Sequence, residues 1–517
     1  MKGIHSQVFR LKWPTHSVDR STNVETVARR LRYRALGDAC RSQGVEHMLF
    51  AHHAGDQAET VLLRLYSGYT GTGLRGIKAS SEIPECFGIH GISRSGRPRI
   101  IKSDNKPALS DVGTTEPPAH LSDANASNNH VRVEDGGVQI HRPLLGFSKS
   151  HLYQFCRDKG VTWSEDQTNK DPTLTPRNTI RSLLQSQRLP RVLQTAALQQ
   201  TAALCSSKNN RHEEIAARIY DACEISLDVR SGYTCVRFPD QISNMLVEGL
   251  DQGADKLTAQ RRAACLIRRI AMLVTPQPDL SLQEVQAAVR ISFPDLFEGH
   301  QERHSNRVSF SKVIFTVGNS LSADPEQAKD KQDGTKHGCS SLPSSGAGLS
   351  CVISRAPPTR EETRDYISST DDNLKIGQGE LDRQPPRWTL FDGRFWIRFS
   401  HGSTKQGDNI TTNVRFLTAD DIRHLNDRLK HSDCLKQLGH LLKTHAPAKI
   451  RFTLPAIVER SCVVTAGVTS ERVVALPSLG WSCAGWQKYD SHKHSLGDPY
   501  WWDFRYKKID LKQDVGI

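Results

Sequence analysis

Val45–Gly76 reads VEHMLFAHHAGDQAETVLLRLYSGYTGTGLRG. Its first seven residues, Val45–Ala51, centre on Met48, Leu49 and Phe50, the pattern of a short parallel strand covered on both faces. His52, His53 and Asp56 follow at once, and then Ala58, Val61, Leu62 and Leu65 recur with helical spacing. Two imidazoles and a carboxylate thus stand where a strand ends and a helix begins, the edge at which open α/β sheets bind ligands. Asp56 is a suitable N-cap, and Glu59, three residues on, completes a capping-box pattern. On these residues alone, the acidic pair either caps the helix or lines a site.

Upstream, Gln7–Trp13 alternates like a strand, and Thr26–Cys40 has the spacing of a helix with Val27, Leu31, Leu36 and Ala39 on its apolar side. Arg29 and Arg32 share another face of that helix with Tyr33 beside them, either a solvated basic face or one that holds an anion. Strand, helix, strand, helix is the α/β signature. Downstream, Gly71-Thr-Gly73-Leu-Arg-Gly76 is a literal G-x-G-x-x-G. It lacks the preceding strand and following helix of a dinucleotide fingerprint, and reads as a flexible loop open to phosphate. Ser80–Gly137, rich in Ser, Pro, Asn, Asp and Gly, reads as a largely disordered insertion. Val138–Leu145 is a strand ending at Arg142-Pro143, and Ser148–Lys159 a helix capped by Ser148 with Leu152, Phe155 and Cys156 inward. Arg177 and Arg181 lie four residues apart near the start of a further helix. That spacing suits a clamp on phosphate or carboxylate, or surface salt bridges to Glu165 and Asp166.

Leu189–Arg290 reads as helical throughout, and within it Leu257–Val274 sets Arg261, Arg262, Arg268 and Arg269 opposite Leu266, Ile270 and Leu273. This is a basic face, either solvated or laid against RNA. Ser320–Pro386 is low in complexity and reads as a linker. The last region is β-rich. Trp388–Phe399 is a hairpin turning at Asp392-Gly393, a type I′ signal, and Ile450–Val458 and Val473–Leu479 supply further strands. Tyr500–Lys508 (YWWDFRYKK) interleaves aromatics with cations, as a base-stacking segment does and as a terminal strand packing its rings also does.

The 517 residues carry a net charge of +13, which favours a polyanionic partner such as RNA. Mean hydropathy is −0.51, low enough that part of the length lies outside any core. Twelve cysteines without a C-x-x-C pair argue against a zinc site or disulfide framework and for a reducing, intracellular setting. No apolar run approaches the roughly 18 residues needed to span a bilayer, and the first residues have no signal-peptide core.

Taken in order, several of these motifs resemble one family, the tRNA(Ile)-lysidine synthases of the PP-loop ATP pyrophosphatase superfamily. The residues that carry the resemblance are Ala28–Tyr33, Ala51–Thr60, Gly73–Gly76, Arg142–Leu145, Trp163–Asp166 with Asn169, and Arg177–Arg181. The resemblance implies an α/β fold: a Rossmann-like adenine-nucleotide α-hydrolase domain over 1–185, with 80–137 as an insertion. A helical tRNA-contacting region over 186–319, a linker over 320–386 and a smaller β-rich C-terminal domain over 387–517 follow. It implies ATP-dependent ligation of free lysine to C2 of the wobble cytidine of tRNA(Ile), through an adenylated tRNA, with Mg2+. His52, His53, Asp56, Glu59 and Arg177 would be catalytic, and Asp56 would also bind the metal. Arg29, Arg32, Gly73, Arg142 and Arg181 would hold the nucleotide.

Two features depart from the family. Its two adjacent aspartates after the histidines are here Gly55 and Asp56, and its S-G-G-x-D-S phosphate loop with the opening strand does not occur in the 517 residues. The expectation is therefore a domain lacking its first strand and phosphate loop, incomplete at the N-terminus. The alternatives are a tRNA-binding relative without ATP use, or another PP-loop tRNA-modifying enzyme. The expected setting is intracellular, the mitochondrial matrix in a eukaryote and the cytoplasm otherwise, with no membrane.

Overall fold

The computed structural model describes residues 5–13, 24–102, 130–165, 175–186, 188–249, 256–298, 305–318, 348–363, 386–400, 409–463, 468–490 and 500–510, together with 171, 173, 494–495 and 498. They fall into two compact units, Met1–Gly96 with Gly136–Ile215, and Arg97–Asp135 with Ala216–Ile517.

The first unit opens with α1 (Val24–Ser42), β1 (His47–Leu49), α2 (Ala54–Tyr66) and β2 (Ser80–Glu82). The chain then leaves as β3 (Arg99–Lys102) and β4 (His130–Val133), strands of the second unit. It returns as β5 (Gln139–His141), followed by α3 (Lys149–Asp158), α4 (Pro176–Gln185) and α5 (Thr195–Ala222). The sheet order is β1-β5-β2, with Met48 opposite Ile140 in a parallel pair and β2 antiparallel on the far side. Parallel strands require a long crossover, and α2 belongs to it, so the α/β reading holds here. Tyr33, Ile83, Cys86, Ile92, Val138 and Ile140 form one buried cluster with Met48 and Phe50 against it. Ala58, Val61, Leu74, Leu198 and Ala202 form a second one on the inner face of α2.

Several expectations are corrected in this unit. Gln7–Trp13 forms no strand and is largely exposed, because its alternating residues meet no sheet edge. The strand in Val45–Ala51 is only three residues long and is covered on one face alone, with Leu49 72% exposed. On α1 the fully buried positions are Tyr33 and Gly37, while Val27, Leu31, Leu36 and Ala39 of the expected stripe are only half-buried. Parts of 80–137 are ordered: Ile83, Cys86 and Ile92 are core residues, and 103–129 lie outside the described residues. Phe155 points outward, and α3 as a whole has no buried residue. The Ser148 cap is as expected, accepting from His151 N.

In the second unit β6 (Glu224–Asp228) and β7 (Tyr233–Arg237) form a hairpin, so 189–290 is not helical throughout. After α6 (Ile242–Val247), α7 (Lys256–Ala271) and α8 (Gln286–Ser292) come β8 (Arg307–Phe310), β9 (Val313–Gly318) and β10 (Ser350–Arg355). The sheet order is β6-β7-β10-β9-β8. The region read as a linker therefore supplies a central strand, β10, while 319–347 and 364–385 lie outside the described residues. The helix read as a basic face is a core helix. Nine of its sixteen residues are buried, and Arg262 among them donates to the carbonyls of Leu246 and Glu248.

β11 (Thr389–Phe391) and β12 (Phe395–Ser400) make the expected hairpin, with Asp392 and Gly393 at φ +47° and +59° as a type I′ turn requires. A four-stranded sheet of β13 (Asn409–Phe416), β14 (Pro455–Val463), β15 (Val468–Leu476) and β16 (Trp481–Ser482) packs with the helices Ala419–Arg428 and Asp433–His445 around one core. Ile450–Thr453 belongs to a 3-10 turn, so that strand begins later than expected. The aromatic tail is β18 (Trp501–Tyr506), which runs between β12 and β4 and also pairs with β17 (Gln487–Lys488). Trp501, Trp502, Phe504 and Tyr506 are buried, so these rings are core and not a base-stacking surface.

Candidate active site

His52 and His53 leave the carboxyl end of β1 and lead directly into α2. The helix is capped by His53, one turn earlier than the Asp56 cap expected from sequence. His53 Nδ1 accepts from Gly55 N at 3.0 Å and Asp56 N at 3.4 Å, and Asp56 Oδ2 accepts from His53 N at 2.8 Å. Asp56 is thus the N3 member of a capping box in which an imidazole replaces the usual hydroxyl. Because Nδ1 receives two backbone donors it bears no proton, and the proton of the neutral ring lies on Nε2. The 3.5 Å approach of His53 Nδ1 to Asp56 Oδ2 is therefore no ion pair.

His52 is fixed from the other side. Arg142 Nε donates to His52 Nδ1 at 3.2 Å, which leaves the His52 proton on Nε2 as well. Burial holds the His52 pKa below its ordinary value; Asp56 opposes this, and Arg142, Arg177 and His53 reinforce it. Arg142 is itself buried, donating from Nη1 to Lys78 O and Ser81 Oγ, both at 3.0 Å, and lying over the Phe50 ring. It ties the strand end to β2 and aims His52.

Glu59 is 4% exposed and receives both arms of Arg181, at 2.7 and 3.0 Å, with Arg177 Nε 3.5 Å away. The bidentate bond to Glu59 raises the Arg181 pKa. Helix α4 starts at Pro176 behind a Thr175 cap, so Arg177 and Arg181 emerge from successive turns toward α2. The partner observed is Glu59; of the alternative partners expected, Glu165 accepts from the Tyr153 hydroxyl, and Asp166, like Asn169, lies outside the described residues. Arg177 Nη2 reaches Thr60 Oγ1 at 3.4 Å, while its Nε is buried without a hydrogen bond.

The structure thus brings His52, His53, Asp56, Glu59, Arg142, Arg177 and Arg181 into one cluster. Arg29 and Arg32 adjoin it through Tyr33: both lie over that ring, which stacks on Phe50 at 5.8 Å, and Phe50 contacts His52. Arg29 also pairs with Glu85 at 3.5 Å. Gly73 stands apart. Gly71–Leu74 is a 3-10 turn pinned to α2, with Arg64 donating to Gly73 O at 3.0 Å and Gly76 O at 2.9 Å, and not the flexible loop expected. Gln57 holds the next residue, bonding Ile77 through both its amide atoms.

Sequence reading placed Tyr33 beside Arg29 and Arg32 and Phe50 in the strand without giving either a part in the site, and it missed Gln57, Arg64 and Gln199, whose Nε2 donates to Ala54 O at 2.9 Å. Only the polar residues on the motif helix, Gln57 and Arg64, carried a visible signal.

Asp56 Oδ2 is occupied by the cap; Oδ1 is left for a ligand. No cluster of three or more metal-binding side chains exists among the described residues. Magnesium is commonly held by one or two carboxylates with substrate phosphates and water, so a single Asp56 oxygen fits that ion. The Arg142 and Arg177 guanidiniums flanking His52 fit a polyphosphate.

The family model of the PP-loop domain matches residues 2–91 and 120–187. A probable tRNA(Ile)-lysidine synthase of Schizosaccharomyces pombe is 26% identical over 477 residues, which cover 92% of this chain and 77% of that protein. The tRNA(Ile)-lysidine synthase of Anaplasma marginale is 25% identical over 41% of this chain and 32% of its own length. That of Bordetella parapertussis is 50% identical over 66 residues, 13% of this chain and 18% of its own. The last two relatives are therefore spanned over less than a third of their length. The chain thus carries a PP-loop domain around the histidine–aspartate junction and is similar to a probable tRNA(Ile)-lysidine synthase along most of its length.

Proposed function

We propose that this chain joins free lysine to C2 of the wobble cytidine of tRNA(Ile), using ATP and passing through an adenylated tRNA. The observation that supports this best is the cluster at the end of β1, where His52, Asp56 and Arg177 converge and Glu59 locks Arg181 in place. Adenylation places negative charge on the α-phosphate and expels pyrophosphate; lysine amine then displaces AMP. Arg177, whose guanidinium lies beside His52, stabilises that charge. His52 and His53 both present Nε2–H, so they donate to phosphate oxygens and do not serve as bases in this state. Asp56 Oδ1 accepts from the lysine ammonium or binds magnesium, which when bound neutralises triphosphate charge. Arg142 aims His52, and Glu59 positions the two α4 arginines. Arg29 and Arg32 lie beside the cluster as nucleotide contacts, and Gly73 marks the pinned turn behind α2.

Incubation of the chain with ATP, lysine and unmodified tRNA(Ile) tests this. AMP, pyrophosphate and lysidine should appear in equal amounts and vanish with Asp56→Asn. Full retention of tRNA without any AMP would overturn the ligase reading. It would favour the second one, a tRNA-binding relative without ATP turnover, which Gly55 supports by putting a hydrogen where the family has a carboxylate.

A further inference from the structure

Helix α3 is unusual in burying none of its ten residues, although it carries two aromatic side chains. Lys149, Tyr153 and Arg157 recur every fourth residue and form one stripe along it. Trp163, just past the helix, stacks on Tyr153 with ring centroids 5.0 Å apart and planes 21° from parallel. Lys149 Nζ lies 5.1 Å from the same Tyr153 ring. Phe147, immediately before the Ser148 cap, is 51% exposed, and Trp163 is 44% exposed. This is large aromatic area left in water, flanked by cations.

Its place on the chain gives that surface a direction. Phe147 O accepts from Ala54 N at 3.0 Å, so the segment leading into α3 is bonded to the first residue of α2, next to His53. We propose that the Phe147–Trp163 face of α3 receives unpaired bases of the RNA substrate beside the His52–Asp56 site. The inference rests on the reading of the chain as a tRNA-modifying enzyme and adds a surface to it.

The chemistry selects single-stranded RNA over an apolar protein partner. A protein interface of this size would draw its aromatics together in a patch depleted of lysine. Here Lys149 and Arg157 bracket the Tyr153–Trp163 stack, the arrangement in which bases pile on rings while the backbone meets cations. Glu165, engaged by the Tyr153 hydroxyl, and Asp158 at the end of α3 are the acidic groups nearby among the described residues, so the phosphates would track the Lys149–Arg157 stripe between them.

The test uses the full chain and two RNAs of equal length, one a stem with an unpaired seven-base loop and the other a perfect duplex. Binding is read by fluorescence anisotropy across a salt series. Trp163→Leu and Phe147→Leu keep apolar volume but remove a ring; both sites are exposed, and circular dichroism checks the fold. Each should weaken loop binding by about 5- to 150-fold, as loss of one stacked base does, and leave duplex binding unchanged. Lys149→Ala should instead weaken both RNAs and lower the salt slope by about one. Unchanged loop binding in both leucine variants, or equal losses on loop and duplex, would overturn the surface. If lysidine forms normally in those variants, the surface alone is wrong. If ring-dependent loop binding is seen without any AMP, the surface stands and the ligase reading falls.

Discussion

The Glu59–Arg181 pair is the joint that holds α4 against α2, and its energetic role can be worked out from the geometry. Glu59 is 4% exposed, and its carboxylate meets both arms of Arg181 and one edge of Arg177. Removing one partner of a buried pair costs about 3–5 kcal/mol, because the remaining charge stays desolvated. The Arg181 and Arg177 side chains keep 26% and 37% of their exposure, so water recovers part of that cost and Glu59→Ala should cost about 2–3 kcal/mol. Arg181→Ala should cost less, since Arg177 remains beside Glu59. The double variant should be more stable than the sum of the two losses implies, by at least about 1 kcal/mol. Hydrogen exchange of the α2 and α4 amides in the full chain reads this locally, without assuming that two units unfold together. A coupling below about 0.5 kcal/mol, or exchange unchanged in Glu59→Ala, would refute the claim that this pair joins the helices.

Three further outcomes follow from other contacts. His52 has a folded-state pKa lowered chiefly by burial, so below about pH 6.5 the unfolded chain binds the extra proton; stability is lost as pH falls from there, and His52→Gln should flatten that slope in urea titrations between pH 5 and 7. A Cβ on Gly55 would stand 2.8 Å from His53 Cε1 and 3.0 Å from Nδ1, so Gly55→Ala should weaken the imidazole cap and cost about 1 kcal/mol. In a His53→Ala background the same change should be neutral or stabilising, and equal costs in both backgrounds would contradict the cap. At Gly393 a Cβ would lie 1.9 Å from Pro276 O with φ at +59°, so Gly393→Ala should cost about 3 kcal/mol or more in thermal unfolding. A variant as stable as the parent would refute the I′ geometry.

The parts legible from sequence are those whose signal is local. Helix α2 has a clean apolar stripe, Ser148 sits where a cap must, and Asp392-Gly393 is a turn that needs two positive φ values. The parts misread are those whose partners are remote in sequence. Arg262 on α7 looks like a surface cation because nothing near it shows that two carbonyls will accept from it. The aromatic tail looks like an RNA platform because β12 and β4, the strands that flank it, lie about 100 and 370 residues away. The 80–137 stretch looks disordered because its buried apolar side chains, Ile83, Cys86, Ile92 and Val133, are scattered among turn residues.

The same division holds at the site. Sequence alone determined that two histidines, an aspartate and a glutamate meet at a strand-to-helix junction, and that two arginines share one face of a later helix, because spacing along a strand or helix sets which side chains are neighbours. Tertiary structure decided what each one does. Packing of α4 on α2 turned Glu59 into the partner of Arg181, 122 residues away. Arg142, brought in on β5, fixed the tautomer of His52, and the absence of a Cβ at Gly55 let His53 close over the helix end. Protonation and hydrogen-bond commitment depend on which groups are desolvated together, and that is a property of the folded chain.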